Sequence, residues 1–155
     1  MLHIAALRGD IGVARGLLEI ETLDPNLLDR ESFSPIGLAV KENKLEIIRV
    51  LVEFSPRVRL STGAGCFFSP LHLAVSRLYL ESSMELVLAG ADVNARDGEG
   101  NTPFHCLMNS YPKEPELGTR LLRSLVFESK GIAQLNARNK SGWTPVHIVA
   151  RHGET

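Results

Sequence analysis

Residues 69–75 read SPLHLAV, a pattern that recurs along this chain. Related stretches recur as SPIGLAV at 34–40, TPFHCLM at 102–108 and TPVHIVA at 144–150. Their Ser/Thr-Pro pairs lie 35, 33 and 42 residues apart, and a fifth copy without its first residues begins the chain as LHIAA at 2–6. A unit that recurs at this period along the whole chain predicts a repeat protein.

Each copy carries signals for the start and the end of a short helix. Ser or Thr is a good N-cap, and Pro fits the first helical position because its missing N–H would be unpaired there. Gly9, Asn43 and Gly153 each lie six residues after the His position of the motif. A helix end prefers such residues because they tolerate left-handed backbone. Leu78 occupies this position in the third copy, so we expect a different turn geometry there.

A second helix is predicted after each first helix. In the second copy Leu45, Ile48, Leu51 and Val52 fall on one helical stripe. A polar turn follows the second helix, most completely in GADVNARDG at residues 90–98. Two short helices cannot bury their apolar faces alone, whereas stacked neighbours bury a continuous core. The sequence therefore predicts a solenoid of helix–turn–helix units.

These motifs resemble the ankyrin repeat, which has a period of about 33 residues and a T-P-L-H-x-A core. The resemblance implies an all-α ankyrin-repeat solenoid, with short β-hairpin turns, forming a single array over residues 1–155. Two departures are Gly37 in place of the His and the missing Gly-Ala-Asp-x-Asn turn at 55–60, where we expect an irregular hairpin. The predicted units are 1–32 (partial), 33–67, 68–100, 101–142 with an insertion at 109–118, and 143–155 (partial). The partial end units suggest a piece of a longer array.

The composition limits the class of partner. Hydrophobic residues make up 44% of the chain and charged residues 23%, as in a folded protein. With 17 Lys and Arg against 18 Asp and Glu, the net charge of −1 speaks against nucleic acid and against an anionic membrane surface. No apolar run reaches the roughly 18–20 residues of a membrane span, so we expect no direct membrane insertion.

The two cysteines, Cys66 and Cys106, form no CxxC pair and no disulfide framework. We therefore expect reduced thiols in the cytoplasm, or alternatively in the nucleus. Cys106 replaces a Leu or Ile of the other copies and is predicted to be a small core residue, whereas Cys66 is predicted to be exposed. We expect the array to be monomeric.

The recurring histidines invite a metal site, which the repeat argues against. His3, His72, His105 and His147 hold equivalent positions in different units, and packed helices lie about 8–10 Å apart. A zinc ion needs ligands at about 2 Å, so the histidines cannot share one. We expect each to bond its own Ser/Thr cap or a neighbouring backbone group, and His152 to be exposed. No side-chain arrangement suggests a nucleophile with a base, so the sequence predicts no catalytic residue, no metal, no cofactor and no enzyme.

The resemblance implies a protein–protein interaction module that binds a partner protein through a concave surface of hairpins and first helices. Phe33, Phe68, Asn101 and Trp143 directly precede the Ser/Thr-Pro pairs, and three of the four are aromatic. Aromatic residues often dominate binding energy, but these could equally pack against the next hairpin. Further predicted partner-binding residues are Arg77, Arg96, Asp97, Glu99, Arg138, Lys140 and Arg151. The alternative is a structural or targeting segment of a larger enzyme, channel or receptor, with no independent partner.

Asn94 is a candidate for modification. The resemblance implies this, because the family includes substrates of an asparaginyl hydroxylase that favours a Leu eight residues before the Asn. Leu86 lies at that distance from Asn94, whereas Asn136 has Glu128 there. The alternative, which we favour, is that Asn94 only holds its turn together through bonds between its side chain and the backbone.

Overall fold

The computed structural model describes residues 1–54, 57–61 and 69–153, and in these ranges the chain is helical, without an extended strand. The expected all-α fold is confirmed. The described part contains nine α-helices: α1 (Leu2–Arg8), α2 (Ile11–Leu18), α3 (Pro35–Lys41), α4 (Leu45–Glu53), α5 (Pro70–Ser76), α6 (Leu80–Leu88), α7 (Pro103–Ser110), α8 (Pro115–Glu128) and α9 (Pro145–Gly153).

The helices stack in two layers. The first helices of the units, α1, α3, α5, α7 and α9, pack in that order against one another. The second helices, α2, α4, α6 and α8, form a parallel layer in the same way. One hydrophobic core runs between the layers from Leu2 to Leu125. The predicted solenoid is therefore present, and burial is shared between neighbouring units rather than confined to each.

The caps expected from the sequence form at the first helices. The Ser34 side chain accepts a hydrogen bond from the Gly37 N–H at 3.3 Å, and Ser69 accepts one from the His72 N–H at 3.4 Å. Proline occupies the first turn of α3, α5 and α7. These contacts satisfy amide groups that have no partner inside the helix.

The turn at Leu78 corrects one expectation. Leu78 has φ +58, close to Asn43 at φ +50 and Gly9 at φ +78, so the turn keeps the left-handed geometry of the other units. The Leu78 N–H donates to the Val75 carbonyl at 3.1 Å, as the Asn43 N–H donates to the Val40 carbonyl at 3.0 Å. The Leu78 side chain is 8% exposed in the core. Its burial offsets a left-handed backbone that costs about 1–2 kcal/mol.

The chain is ordered by local contacts over the predicted insertion, residues 109–118. A 3₁₀ turn (Tyr111–Lys113) follows α7, and Pro115 begins α8. The Tyr111 ring lies so close to Gly118 that a Cβ atom there would be 2.8 Å from the ring. The Tyr111 hydroxyl is 3.0 Å from the Thr119 Oγ1. The prolines therefore end one helix and start the next, as expected of a proline at these positions.

The described part of the connection after α4 bonds the preceding unit. Residues 55 and 56 of the irregular hairpin predicted at 55–60 lie outside the described residues, as do residues 62–68 with Cys66 and Phe68. Arg57 donates from its guanidinium to the carbonyls of Leu18 at 2.7 Å, Ile20 at 3.0 Å and Leu23 at 2.6 Å. Arg57 thus satisfies carbonyls at the end of α2, which belongs to the preceding unit.

Candidate partner-binding groove

The hairpins between units are closed by an Asp or Asn side chain. The Asp97 carboxylate accepts from the N–H of Glu99 at 2.9 Å and of Asn101 at 2.8 Å, while the Asp97 N–H donates to the Asn101 carbonyl at 3.0 Å. Asp29 and Asn139 make the same three bonds in their hairpins. The residue at each hairpin base is consequently held by the backbone on both sides of the turn.

The motif histidines join one unit to the next. The His105 Nδ1 accepts from the Thr102 N–H at 3.0 Å and lies 2.9 Å from the Thr102 Oγ1. Because Nδ1 accepts, the proton lies on Nε2, which donates to the Trp143 carbonyl at 2.9 Å. His72 likewise lies 2.8 Å from the Ser69 Oγ and 3.0 Å from the Asn101 carbonyl. The expectation that the histidines bond caps or neighbouring backbone is confirmed here.

His3 follows the same pattern at the first junction, where its Nε2 lies 3.0 Å from the Phe33 carbonyl. The bridged carbonyls thus belong to Phe33, Asn101 and Trp143, three of the four predicted hairpin-base residues. Burial lowers the pKa of His72, so its imidazole stays neutral near pH 7. His147 bonds only its own cap in this series, with its Nδ1 2.6 Å from the Thr144 Oγ1.

Two adjoining cavities lie where the hairpins meet the first helices α5, α7 and α9. The first, about 370 Å³, is lined by Ser76, Asp97, Asn101, His105, Cys106, Asn109 and Ile148. The second, about 330 Å³, is lined by Asn109, Asn139, Ser141, Trp143, Ile148 and Arg151. They share Asn109 and Ile148, so together they form one open surface, which we call the groove. Of the residues predicted from the sequence, Asp97, Asn101, Trp143 and Arg151 line it.

Two aromatic side chains at hairpin bases carry a cation on the ring face. The Lys41 Nζ lies 4.6 Å from the centre of the Phe33 ring, and the Arg151 guanidinium carbon lies 5.0 Å from the centre of the Trp143 ring. In each pair the cation follows the aromatic residue by eight positions, at the end of the first helix. Phe33 and Trp143 are half-buried.

Three of the predicted tip residues bond neighbouring backbone. Arg96 donates to the Arg138 carbonyl at 2.8 Å, Arg138 donates to the Gly142 carbonyl at 2.8 Å, and the Lys140 Nζ donates to the Gly98 carbonyl. The Arg96 and Lys140 bonds tie adjacent hairpins together, whereas the Arg138 bond closes its own hairpin. Glu99 and Arg77 are exposed, at a hairpin tip and directly after α5 respectively.

Asn94 also links two units. Its Nδ2 donates to the Ile132 carbonyl at 2.8 Å, and its Oδ1 accepts from the Gln134 N–H at 2.8 Å. Asn26 makes the matching bonds between the first two units, to the Arg57 carbonyl at 2.8 Å and the Arg59 N–H at 2.6 Å. Hydroxylation of Asn94 stays a prediction, and a hydroxylase could reach its side chain fully only when these bonds open.

His152 and Cys106 lie in surroundings that differ in part from those expected. His152, expected to be exposed, is half-buried, and its Nε2 lies 3.2 Å from the Asn109 Oδ1. The helix end at α9 packs beside α7, which sequence spacing within one unit does not reveal. Cys106 packs against the core but also lines the groove, and burial raises the pKa of its thiol to about 12. A protonated thiol is a poor nucleophile.

Asn139 is a groove residue that the sequence analysis missed. Its Nδ2 donates to the Asn101 Oδ1 at 2.8 Å, and the Asn101 Nδ2 donates to the Asp97 Oδ2 at 3.2 Å. These three side chains form a polar ladder from one hairpin to the next. The repeat spacing could have identified it, because Asn139 lies 42 residues after Asp97, just as Thr144 lies 42 residues after Thr102.

Within residues 1–54, 57–61 and 69–153, no three His, Cys, Asp or Glu side chains are grouped as metal ligands would be. Of the helices that the structure describes, none is both long and apolar enough to cross a membrane.

Comparison with known proteins agrees with the repeat pattern. A family model described as ankyrin repeats, in three copies, matches residues 2–97. The chain is 32% identical to the nuclear factor NF-kappa-B p105 subunit of Gallus gallus, over 99% of this chain and 15% of that protein. It is 24% identical to E3 ubiquitin-protein ligase KEG of Arabidopsis thaliana, over 95% of this chain and 9% of that protein. It is 28% identical to the probable 26S proteasome regulatory subunit p28 of Saccharomyces cerevisiae, over 81% of this chain and 53% of that protein. The chain thus spans only a small part of the first two relatives.

Proposed function

We propose that this chain, which belongs to the ankyrin repeat family, is a protein–protein interaction module that binds a partner protein in the groove. The observation that carries the proposal is the joining of two cavities, of about 370 and 330 Å³, along α5, α7 and α9. The groove combines one large aromatic ring, Trp143, with amide, hydroxyl and charged side chains. That mixture is typical of the centre and rim of a protein interface.

The rigidity of the groove supports the same function. The hairpin bases at Asn101 and Trp143 are held by bonds from Asp97 and Asn139 and by the imidazoles of His72 and His105. A surface that is ordered before binding loses less conformational entropy when a partner arrives. The groove therefore suits binding better than a set of mobile loops would.

We assign the residues two different roles in this proposal. Trp143, Arg151, Asn101 and Asp97 line the groove and would contact the partner directly, with Phe33 and Phe68 contributing at the earlier hairpins. Arg96, Arg138 and Lys140 already bond neighbouring backbone. They would contact the partner at the rim, with Glu99 and Arg77, and contribute less binding energy because rim charges stay hydrated.

The rest of the proposal is a monomeric array without a cofactor or a catalytic role of its own, located in the cytoplasm or the nucleus. The alternative is that the chain is a structural or targeting segment of a larger enzyme, channel or receptor and has no independent partner. One of the relatives is named a ubiquitin ligase, but this chain matches only 9% of that protein's length.

Affinity capture from a cell extract with the wild-type chain and two variants tests the proposal. Trp143→Ala removes the groove's aromatic side chain and should weaken capture of a discrete partner about 30-fold, the loss expected for a central aromatic residue. Phe127→Ala is the matched control, because Phe127 is 79% exposed and lies on α8 in the other helix layer. It should leave capture unchanged.

Thermal unfolding of both variants shows whether they remain folded. Equal capture by the wild type and a folded Trp143→Ala variant would exclude the groove as the binding surface. If the wild-type chain captures no partner and all binding depends on domains of a larger protein that contains it, the alternative holds.

A further inference from the structure

The hairpin at Phe33 contains a complete charge pair. Lys41 lies on the Phe33 ring at 4.6 Å, and its Nζ is 3.0 Å from the Glu31 carboxylate. Glu31 precedes the aromatic residue by two positions, at the hairpin tip. In this hairpin, therefore, Glu31 supplies the carboxylate that pairs with Lys41, the cation on the Phe33 ring.

The hairpin at Trp143 repeats this arrangement with one group changed. Arg151 lies on the Trp143 ring at 5.0 Å, but the tip position two residues before Trp143 holds Ser141 instead of a Glu. Within residues 1–54, 57–61 and 69–153, no carboxylate lies within 4 Å of the Arg151 guanidinium, whereas Lys41 has one. The hairpin with Glu99 has neither partner, since Asn101 and Asn109 replace the aromatic residue and the cation.

The cavity beside Trp143 is suited to an anion. Arg151 contributes the positive charge, Asn109 and Asn139 contribute amide groups and Ser141 a hydroxyl, while Trp143 and Ile148 complete the lining. The Asp97 carboxylate of the neighbouring hairpin is engaged by the N–H groups of Glu99 and Asn101. A guanidinium that stacks on an aromatic face keeps its N–H edge open for a carboxylate, which it can bind with two parallel hydrogen bonds.

We propose that this cavity binds an Asp or Glu side chain of the partner protein, with Arg151 as the cation, Trp143 as its platform and Ser141 as a hydroxyl donor. The partner carboxylate takes the place that Glu31 takes beside Lys41. This inference rests on the proposed function and adds the chemistry of the ligand. It also implies a direction along the array, because Lys41 beside Phe33 pairs with Glu31, whereas among the described residues no carboxylate pairs with Arg151 beside Trp143.

The test uses random 12-residue peptides displayed on phage and selected on the whole chain, with Glu154 changed to Gln in every arm to remove the nearest carboxylate in the sequence. Selected peptides should share one acidic position. A synthetic peptide with Glu at that position should bind about fivefold more tightly than its Gln counterpart, as measured by fluorescence anisotropy.

The decisive variant is Ser141→Glu, which copies the Glu31 arrangement. Because Glu is already the residue at the equivalent tip positions 31 and 99, the fold should tolerate it, and thermal unfolding checks this. The introduced carboxylate should pair with Arg151 and abolish the fivefold preference for the acidic peptide. Arg151→Gln should abolish it too, whereas Glu31→Ser, the matched change at the other hairpin, should keep it.

The outcomes separate this inference from the proposed function. Peptides that bind in a Trp143-dependent way without an acidic position would overturn the carboxylate site and leave the groove as a binding surface. A preference for Glu that survives both Ser141→Glu and Arg151→Gln would also overturn it. If no selected peptide and no captured protein depends on Trp143, both proposals fail.

Discussion

The helices α3 and α7 cap the free amide groups of their first turn in different ways. At α3 the Ser34 hydroxyl accepts from the Gly37 N–H at 3.3 Å, and Gly37 has no side chain to extend the contact. At α7 the imidazole of His105 bonds Thr102 on one side and, at 2.9 Å, the Trp143 carbonyl of the next hairpin on the other. At α7 the motif histidine therefore bonds both its own cap and the next hairpin.

The difference has an energetic consequence. His105 is 1% exposed, so its two ring nitrogens and their partners are removed from water and depend on one another. At α3 the motif position is Gly37, which has no imidazole to bond the next unit, while α3 and α5 pack against each other. Repeat arrays share stability through such junctions, so the histidine should matter more than the cap.

Replacing the bridging histidine should have the largest effect. His105→Ala leaves the buried Thr102 N–H without its imidazole acceptor, removes one of the two donors to the Trp143 carbonyl and opens a cavity, so it should lower the free energy of unfolding by about 3 kcal/mol. Urea unfolding followed by circular dichroism measures the loss. His147→Ala is the control, since His147 is exposed and bonds its own cap. Equal losses in the two variants would show that the bridge to the next hairpin contributes nothing.

Removing the local cap should cost less. Ser34→Ala takes away the acceptor for the Gly37 N–H and should destabilise the chain by about 1 kcal/mol. The same urea titration, with Ser141→Ala at an exposed hairpin tip as the control, measures the effect. If Ser34→Ala destabilised the chain as much as His105→Ala, the local cap and the bridge would carry equal weight.

The smallest effect expected is a dependence of stability on pH at His72, another of the bridging histidines. Burial lowers the pKa of His72 in the folded chain below the usual value of 6.5. The unfolded state therefore binds more protons in the window below pH 6.5, and stability should fall as the pH falls through it. The melting temperature of the wild type should decrease more between pH 7.5 and 5.5 than that of His72→Gln, which cannot titrate at this position. Parallel decreases would show that His72 is not responsible.

Much of the groove could be located from the sequence, because the repeat register transfers positions from one unit to another. Trp143, Asn101 and Asp97 were found in this way. The same register gives the position of Asn139 and shows that Ser141 replaces the Glu of hairpin tip positions 31 and 99. The register could not reveal which charged side chains point into the groove and which bond backbone. Arg151 lines the groove whereas Arg138 bonds the Gly142 carbonyl, and that choice depends on which acceptors lie within reach across two hairpins.

Caps and helical periodicity are local properties, so the number and order of the first helices, their Ser/Thr-Pro starts and the stacking of amphipathic units follow from the residues alone. Other features depend on contacts between distant parts of the chain. Leu78 adopts left-handed backbone because the core buries its side chain and the turn bonds are kept. The pairing of Lys41 with Glu31 and the stacking of Arg151 on Trp143 likewise depend on a hairpin that folds back onto a helix end. The spacing of these residues along the chain does not give their distance in space.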